Sequence, residues 1–436
     1  MKIFHLIKEA RLLMNIRIKI GLERMLSKKL LLLIPVFATL IIVYFTLLGE
    51  GLLNKLGSLY SSELYVCIYY AVMVSIWFVV ILGVITLLGT PIKSKKIERE
   101  LLDVDFTDKD RNPPILVSIR KENKGFIYVF YSPKISFVKY EDHITDIETA
   151  LNIKVVSVEP GKDARHVVIK AIKSGKKNDE MIRWKEEYLS KEDFKLVLGE
   201  SFSGVEAINI RTTPHILVGG GSGSGKSKLL QSILMQSIKK GAVVYLADFK
   251  GGLDYPESWH KNCTFITQKE QFDNILSQIL KIMEERKLMF VESGTPNIAK
   301  HNEKTGEGIR RVIVACDEVA EVLDKTGLDK DEKVMISQIE NKLNTIARLG
   351  RAFGIHLCLA TQRPSADLLN GQIKNNLGYR ICGRADKVLS QIILDNSEGA
   401  EKISSDDQGM FYTNTGVLFK AYYVEDDCME GIYERK

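Results

Sequence analysis

A chain of 436 residues with 45% hydrophobic and 27% charged residues has room for two or three folded domains with an ample core. Its formal net charge of +6 is mild and does not by itself indicate nucleic acid. The six cysteines form no C-x-x-C pair and the histidines show no zinc-ligand spacing, which argues against a disulfide scaffold or a zinc framework and for reduced core thiols.

Residues 1–28 set Lys2, Lys8, Arg11, Arg17, Lys19 and Arg24 among Ile and Leu residues. That pattern predicts a basic amphipathic helix lying on anionic headgroups, with docking to a partner as the alternative. Residues 29–90 contain two apolar runs, Leu30 to Leu48 and Leu64 to Leu88. Each can cross a hydrocarbon core of about 30 Å at about 1.5 Å per residue. Lys28 and Lys29 precede the first run, and Lys93, Lys95, Lys96 and Arg99 follow the second. The positive-inside rule therefore predicts a multi-pass cell-membrane protein with both termini cytoplasmic and residues 49–63 outside. The late start of the apolar run and the lack of a small-residue cleavage pattern argue against a cleaved signal.

Residues 91–110 read as a short charged tether. Residues 111–190 read as a small α/β domain, with a helix over Ile144 to Leu151 and a strand from Ile153 to Val158. A turn at Glu159-Pro160-Gly161-Lys162 then leads to a second strand at Val167 to Ile169.

The chemistry lies in residues 191–436. Ile216-Leu217-Val218 is an apolar run leading into Gly220-Gly221-Ser222-Gly223-Ser224-Gly225-Lys226-Ser227, and an amphipathic run opens at Lys228. Strand, glycine loop and helix in that order make a P-loop, whose backbone N–H groups and helix N-terminus cradle phosphates. Lys226 would reach the β- and γ-phosphates, and Ser227 would place its hydroxyl on Mg²⁺. A flexible Gly/Ser linker would lack this framing. Ala242 to Ala247 reads as a strand ending in Asp248-Phe249-Lys250, either near nucleotide or shaping a turn.

Arg311 to Cys316 reads as a buried strand ending in Asp317-Glu318. Asp317 would hold the Mg²⁺ shell and Glu318 would act as general base on water; the bland alternative is a helix N-cap with a first-turn charge. The strand Ile355 to Ala360 delivers Thr361-Gln362-Arg363-Pro364. Gln362 can sense the γ-phosphate or can be a polar loop residue, Pro364 stiffens the exit, and His356 reads as a satisfied core histidine.

Taken in order, Pro214-His215-Ile216-Leu217-Val218 with its glycine loop, Asp248-Phe249-Lys250, the Asp317-Glu318 strand and Gly354-Ile355-His356-Leu357 running into Ala360-Thr361-Gln362-Arg363-Pro364-Ser365 resemble the motor of FtsK/SpoIIIE-type DNA translocases. Met283-Glu284-Glu285-Arg286, Asn297-Ile298, Asn302 and Gly399-Ala400-Glu401 extend the resemblance from about Leu198 to about Tyr412. Phe249 stands where the family usually has proline, so Lys250 carries less weight.

The resemblance implies a RecA-like α/β motor that binds ATP and Mg²⁺ and forms a homo-oligomeric ring, a hexamer, around DNA. It also implies that Arg351 reaches a neighbouring subunit's nucleotide, with Arg348, Arg380 and Arg384 as competitors. The family's chromosome-segregation members carry a sequence-reading winged-helix module after the motor. The chain stops at Lys436, so DNA binding is expected to be independent of sequence. With two spans and a short tether, it most resembles the coupling proteins of conjugative plasmids and integrative elements, with relaxase and channel proteins as partners. The alternatives are a chromosome-partitioning pump, a type VII protein-secretion ATPase and a nucleotide-binding scaffold without turnover.

Overall fold

A computed structural model describes all residues except 1, 56–62, 123–124, 174–180, 253–254, 363–370 and 430–436. Pro364 and part of the expected outer connection lie outside the described residues. The chain divides into two compact units, Met1–Ser174 and Gly175–Lys436.

The first unit begins with helix α1 (Lys2–Ser27), followed by α2 (Leu33–Lys55) and α3 (Glu63–Leu88). Leu30–Gly51, which starts just before α2, and Val66–Leu88 in α3 are 22 and 23 residues long with mean hydropathies of 2.7 and 2.8, and their most apolar stretches are not buried inside the protein. Both are long and apolar enough to cross a bilayer. Polar atoms between them are paired: Trp77 Nε1–H donates to Thr39 Oγ1 at 3.2 Å, and the Tyr69 hydroxyl donates to the Thr46 carbonyl at 2.8 Å.

Two of α1's basic residues turn inward. Arg17 is 4% exposed and donates to Ser94 Oγ and Glu98 Oε1, both at 2.7 Å, and to the Leu116 carbonyl. Arg24 donates to the carbonyls of Leu88 and Val117. A Cβ at Gly21 would collide with the Ile85 carbonyl, so α1 crosses α3 in close contact. The partner that α1 docks on is its own unit.

The segment expected to be a tether is helix α4 (Ser94–Asp103). Ile97 and Leu101 lie four residues apart on one face and are buried with Phe106 in the core. The many charges occupy the other face. Strands β1 (Ile115–Glu122) and β2 (Gly125–Tyr131) precede helices α5 (Phe137–Asp142) and α6 (Ile144–Leu151). Strands β3 (Ile153–Pro160) and β4 (His166–Lys173) complete an antiparallel sheet in the order β1-β2-β4-β3.

The second unit is built on an eleven-stranded sheet. Strand β5 (Ile182–Arg183) is followed by the hairpin β6 (Lys195–Ser201) and β7 (Gly204–Asn209). Strand β8 (Ile216–Gly219) leads through the glycine loop into α7 (Lys226–Lys239), and β9 (Val243–Ala247) follows. Short α8 (Glu257–His260) and β10 (Thr264–Ile266) precede α9 (Lys269–Ser293) and α10 (Ile298–Thr305). Strand β11 (Val312–Cys316), α11 (Val319–Leu323), α12 (Lys330–Leu349) and β12 (Ile355–Thr361) come next. Helix α13 (Gly371–Asn376), β13 (Tyr379–Cys382), α14 (Lys387–Leu394) and α15 (Glu398–Lys402) lead to the hairpin β14 (Met410–Thr413) and β15 (Leu418–Tyr423).

The order β10-β9-β11-β12-β8-β13 is parallel, and β14-β15-β6-β7 continues it antiparallel. The central strands are mostly apolar because helices cover both faces: one core contains α9 and α12, the other α7.

Leu101 is 1% exposed, so Leu101→Ala should destabilise the first unit by about 2–5 kcal/mol. Thermal unfolding of the full chain in detergent checks this, and a free tether would give no change.

Candidate functional site

Parallel strands β11, β12 and β8 end at one edge of the sheet, and β12 lies between the other two. That order brings the acidic pair after β11 to the glycine loop after β8. Gly223 and Gly225 adopt φ of +73° and +96°, and a Cβ on Gly225 would come within 3.3 Å of Gly409 Cα. The loop is braced from outside: Gly220 N–H donates to Thr361 O, Gly221 N–H to Arg384 O, and the Arg384 side chain to the carbonyls of Ser222 and Ser405.

Lys226 and Asp317 are 3% and 1% exposed. The Lys226 ammonium donates to Asp317 Oδ1 at 3.0 Å and to the Asp317 carbonyl, and Ser227 Oγ lies 3.4 Å from both carboxylate oxygens. The Glu318 side chain makes no cap bond to α11, against the N-cap alternative. It turns to β12 instead, accepting from Thr361 Oγ1–H at 2.7 Å and Gln362 N–H at 2.8 Å. Lys226, Ser227, Asp317, Glu318 and Gln362 are thus brought together.

A cavity of about 270 Å³ opens over the glycine loop, with Lys226, Ser227, Gln231, Gln362 and Gln408 in its wall. The residues fit a phosphate chain. Helix α7 presents its first N–H groups, which have no intrahelical partners, and its positive dipole end. Among the described residues, Ser224 Oγ in the loop is buried without a hydrogen-bond partner. Ser227 and Asp317 would hold a divalent cation, which would neutralise phosphate charge. An adjoining cavity of about 220 Å³ shares Gly225, Lys228 and Gln408 with the first and is walled by Leu229, Phe411 and Tyr422. Its apolar walls suit a nucleobase. No local pattern marks it, because its walls come from segments almost 200 residues apart.

Asp248 shapes a turn: its carboxylate accepts the N–H groups of Lys250 and Gly252. Of the competing arginines, Arg380 pairs with Asp395 at 2.7 Å and Arg384 braces the glycine loop.

Arg351 lies at the opposite edge, after α12 and before the start of β12, exposed, with Nε–H donating to Arg211 O at 3.2 Å. The seven residues of β12 separate it from its own glycine loop by about 20 Å at about 3.3 Å per residue. Its loop is pinned by buried cations and rings. Arg286 donates to the carbonyls of Phe353 and Arg310, and Ile298 N–H donates to Ala352 O. His356 donates from Nδ1 to Pro214 O and accepts from Arg311 at Nε2, as a satisfied core histidine. His215 Nδ1 accepts Leu357 N–H.

Comparison with known proteins gives three findings. Residues 180–366 match the FtsK/SpoIIIE family. The DNA translocase FtsK of Campylobacter jejuni is 31% identical over 284 residues, covering 60% of this chain, and the DNA translocase SpoIIIE of Bacillus subtilis is 28% identical over 341 residues, covering 71%. The chain spans only 28% and 41% of those two relatives. The structure of the pCW3 conjugation coupling protein TcpA, in its monomer form with ATPγS, superposes with a TM-score of 0.61 at 34% identity. That match covers 79% of this chain and 99% of TcpA's.

Burial pushes the His215 imidazole down from 6.5 to about 4 and, with Arg311 adding to it, holds His356 well below 6.5. Above pH 6.5 both rings are neutral whether the chain is folded or unfolded. Below it the unfolded chain takes up protons that the folded chain refuses, so stability should fall by about 1.4 kcal/mol per pH unit for each ring. For His215 the loss should level off near pH 4. Unfolding midpoints at pH 7.5 and 5.5 check the sign, and equal stability at both would contradict it.

Proposed function

The chain belongs to the FtsK/SpoIIIE family, and from that premise we propose that it is a membrane-anchored, ATP-driven DNA translocase that couples DNA to a conjugative transfer channel. The observation that carries the motor is the convergence of Lys226, Ser227 and Asp317 at the mouth of the glycine loop, with Glu318 and Gln362 beside them. Likeness to TcpA over nearly all of that chain supports the coupling role. The two apolar helices and their flanking lysines support an anchor with the motor on the cytoplasmic side. Relaxase and channel proteins are the further partners of this role.

Lys226 and Asp317 can part only if each meets a new opposite charge. A γ-phosphate for the lysine and Mg²⁺ for the carboxylate satisfy both. Glu318, once free of β12, takes a proton from the attacking water. Because Arg351 is far from its own loop, it serves a neighbour's nucleotide in a ring, a hexamer, where its guanidinium stabilises charge on the γ-phosphoryl. DNA is held through its phosphates, without preference for sequence.

ATP hydrolysis should rise when DNA is added to the full chain in nanodiscs, and DNA affinity should fall with salt. Lys226→Ala should abolish nucleotide binding and turnover, whereas Glu318→Gln should bind ATP and slow its hydrolysis by about 10²-fold or more. Wild-type turnover in Glu318→Gln would remove it as the base. Mixing Arg351→Ala with Lys226→Ala under subunit exchange should restore part of the activity. No restoration despite exchange, with Arg351→Ala active alone, would make Arg351 structural.

A further inference from the structure

Glu318 does not point at the phosphate cavity. Among the described residues the cavity wall includes Gln362 but not Glu318, which is 6% exposed behind it. Both carboxylate oxygens are held by the tip of β12, Oε1 by the Thr361 hydroxyl at 2.7 Å and Oε2 by the Gln362 N–H at 2.8 Å. Charge-assisted bonds of this kind are strong and directional, and they fix the plane of the carboxylate. A general base must instead come within hydrogen-bond reach of the water it deprotonates.

Thr361 is itself 2% exposed, and its carbonyl accepts Gly220 N–H from the start of the glycine loop at 3.2 Å. One residue therefore touches both halves of the site, the loop through its backbone and the base through its side chain. Valine would satisfy the strand and the packing at this position equally well. The hydroxyl is what distinguishes threonine there.

The geometry points to Thr361 as a positioning residue whose hydroxyl parks Glu318 away from the phosphate cavity, so that hydrolysis waits for the tip of β12 to shift against β8 and β11. This latch rests on the ATPase reading above. It restrains idle hydrolysis, and DNA relieves it. Gln362 is coupled to the same event, because its N–H holds the second carboxylate oxygen while its side chain lines the cavity.

The test compares ATP hydrolysis with and without DNA for the full chain in nanodiscs, as wild type, Thr361→Val, Thr361→Ala and Thr361→Ser. Removing the hydroxyl in the Val and Ala variants should raise DNA-free kcat by about three- to tenfold, with KM little changed, and shrink the stimulation by DNA. The Ser variant, which keeps the hydroxyl, should retain the wild-type stimulation ratio. A wild type stimulated by DNA, with Val and Ala folded but at or below its DNA-free rate, overturns the latch and leaves the motor standing. The latch is equally overturned if Ser behaves like Val. A wild type that hydrolyses no ATP removes both proposals.

Discussion

Lys226 and Asp317 are two opposite charges shut away from water, and the site is organised around keeping them paired. An unpaired ion at such a position costs several kcal/mol, so the pair ties the glycine loop to the acidic edge as long as no other charges enter. Sheet order makes the pairing possible. With β12 between β8 and β11, the lysine at the start of α7 reaches past one strand tip to the aspartate beyond it. A ligand carrying one sign of charge can relieve only one partner. The site therefore favours an anion and a cation arriving together.

The two edges of the parallel strands are built on different principles. The edge with the glycine loop keeps its charged groups exchangeable, beside a cavity. The edge with Arg351 fixes its backbone with Arg286, Arg311 and His356, whose polar atoms meet carbonyls or each other. Burial with Arg311 nearby lowers the Arg286 pKa to about 10, a measure of how far its guanidinium has been taken from water. Stiffness there holds the Arg351 loop in one place while the other edge changes partners.

What could be read from the sequence follows from how locally each feature is specified. The glycine loop is legible because phosphate chemistry needs glycines, lysine and serine in consecutive positions, and the buried parallel strands because both of their faces must be apolar. Helix α4 is hidden by its charges: its buried face is only Ser94, Ile97 and Leu101. Arg17 looks like a headgroup contact until Glu98 and Ser94 are brought beside it from about 80 residues away. Thr361 is the kind of β-branched residue any strand end carries. Its bond to Glu318 exists only because two strands pair in register.

Only residues 89–93 separate α3 from α4, and extended they would span at most about 18 Å. Arg24 holds the Leu88 carbonyl at that junction, and Arg17 bridges α1 to α4 and β1. A pull on the small sheet is therefore carried into the apolar helices through hydrogen bonds and packed side chains, with almost no slack chain to take up length. An engine hauling on a polymer needs such a footing, because every stroke returns an equal recoil. In this unit, the recoil would be delivered to the base of α3.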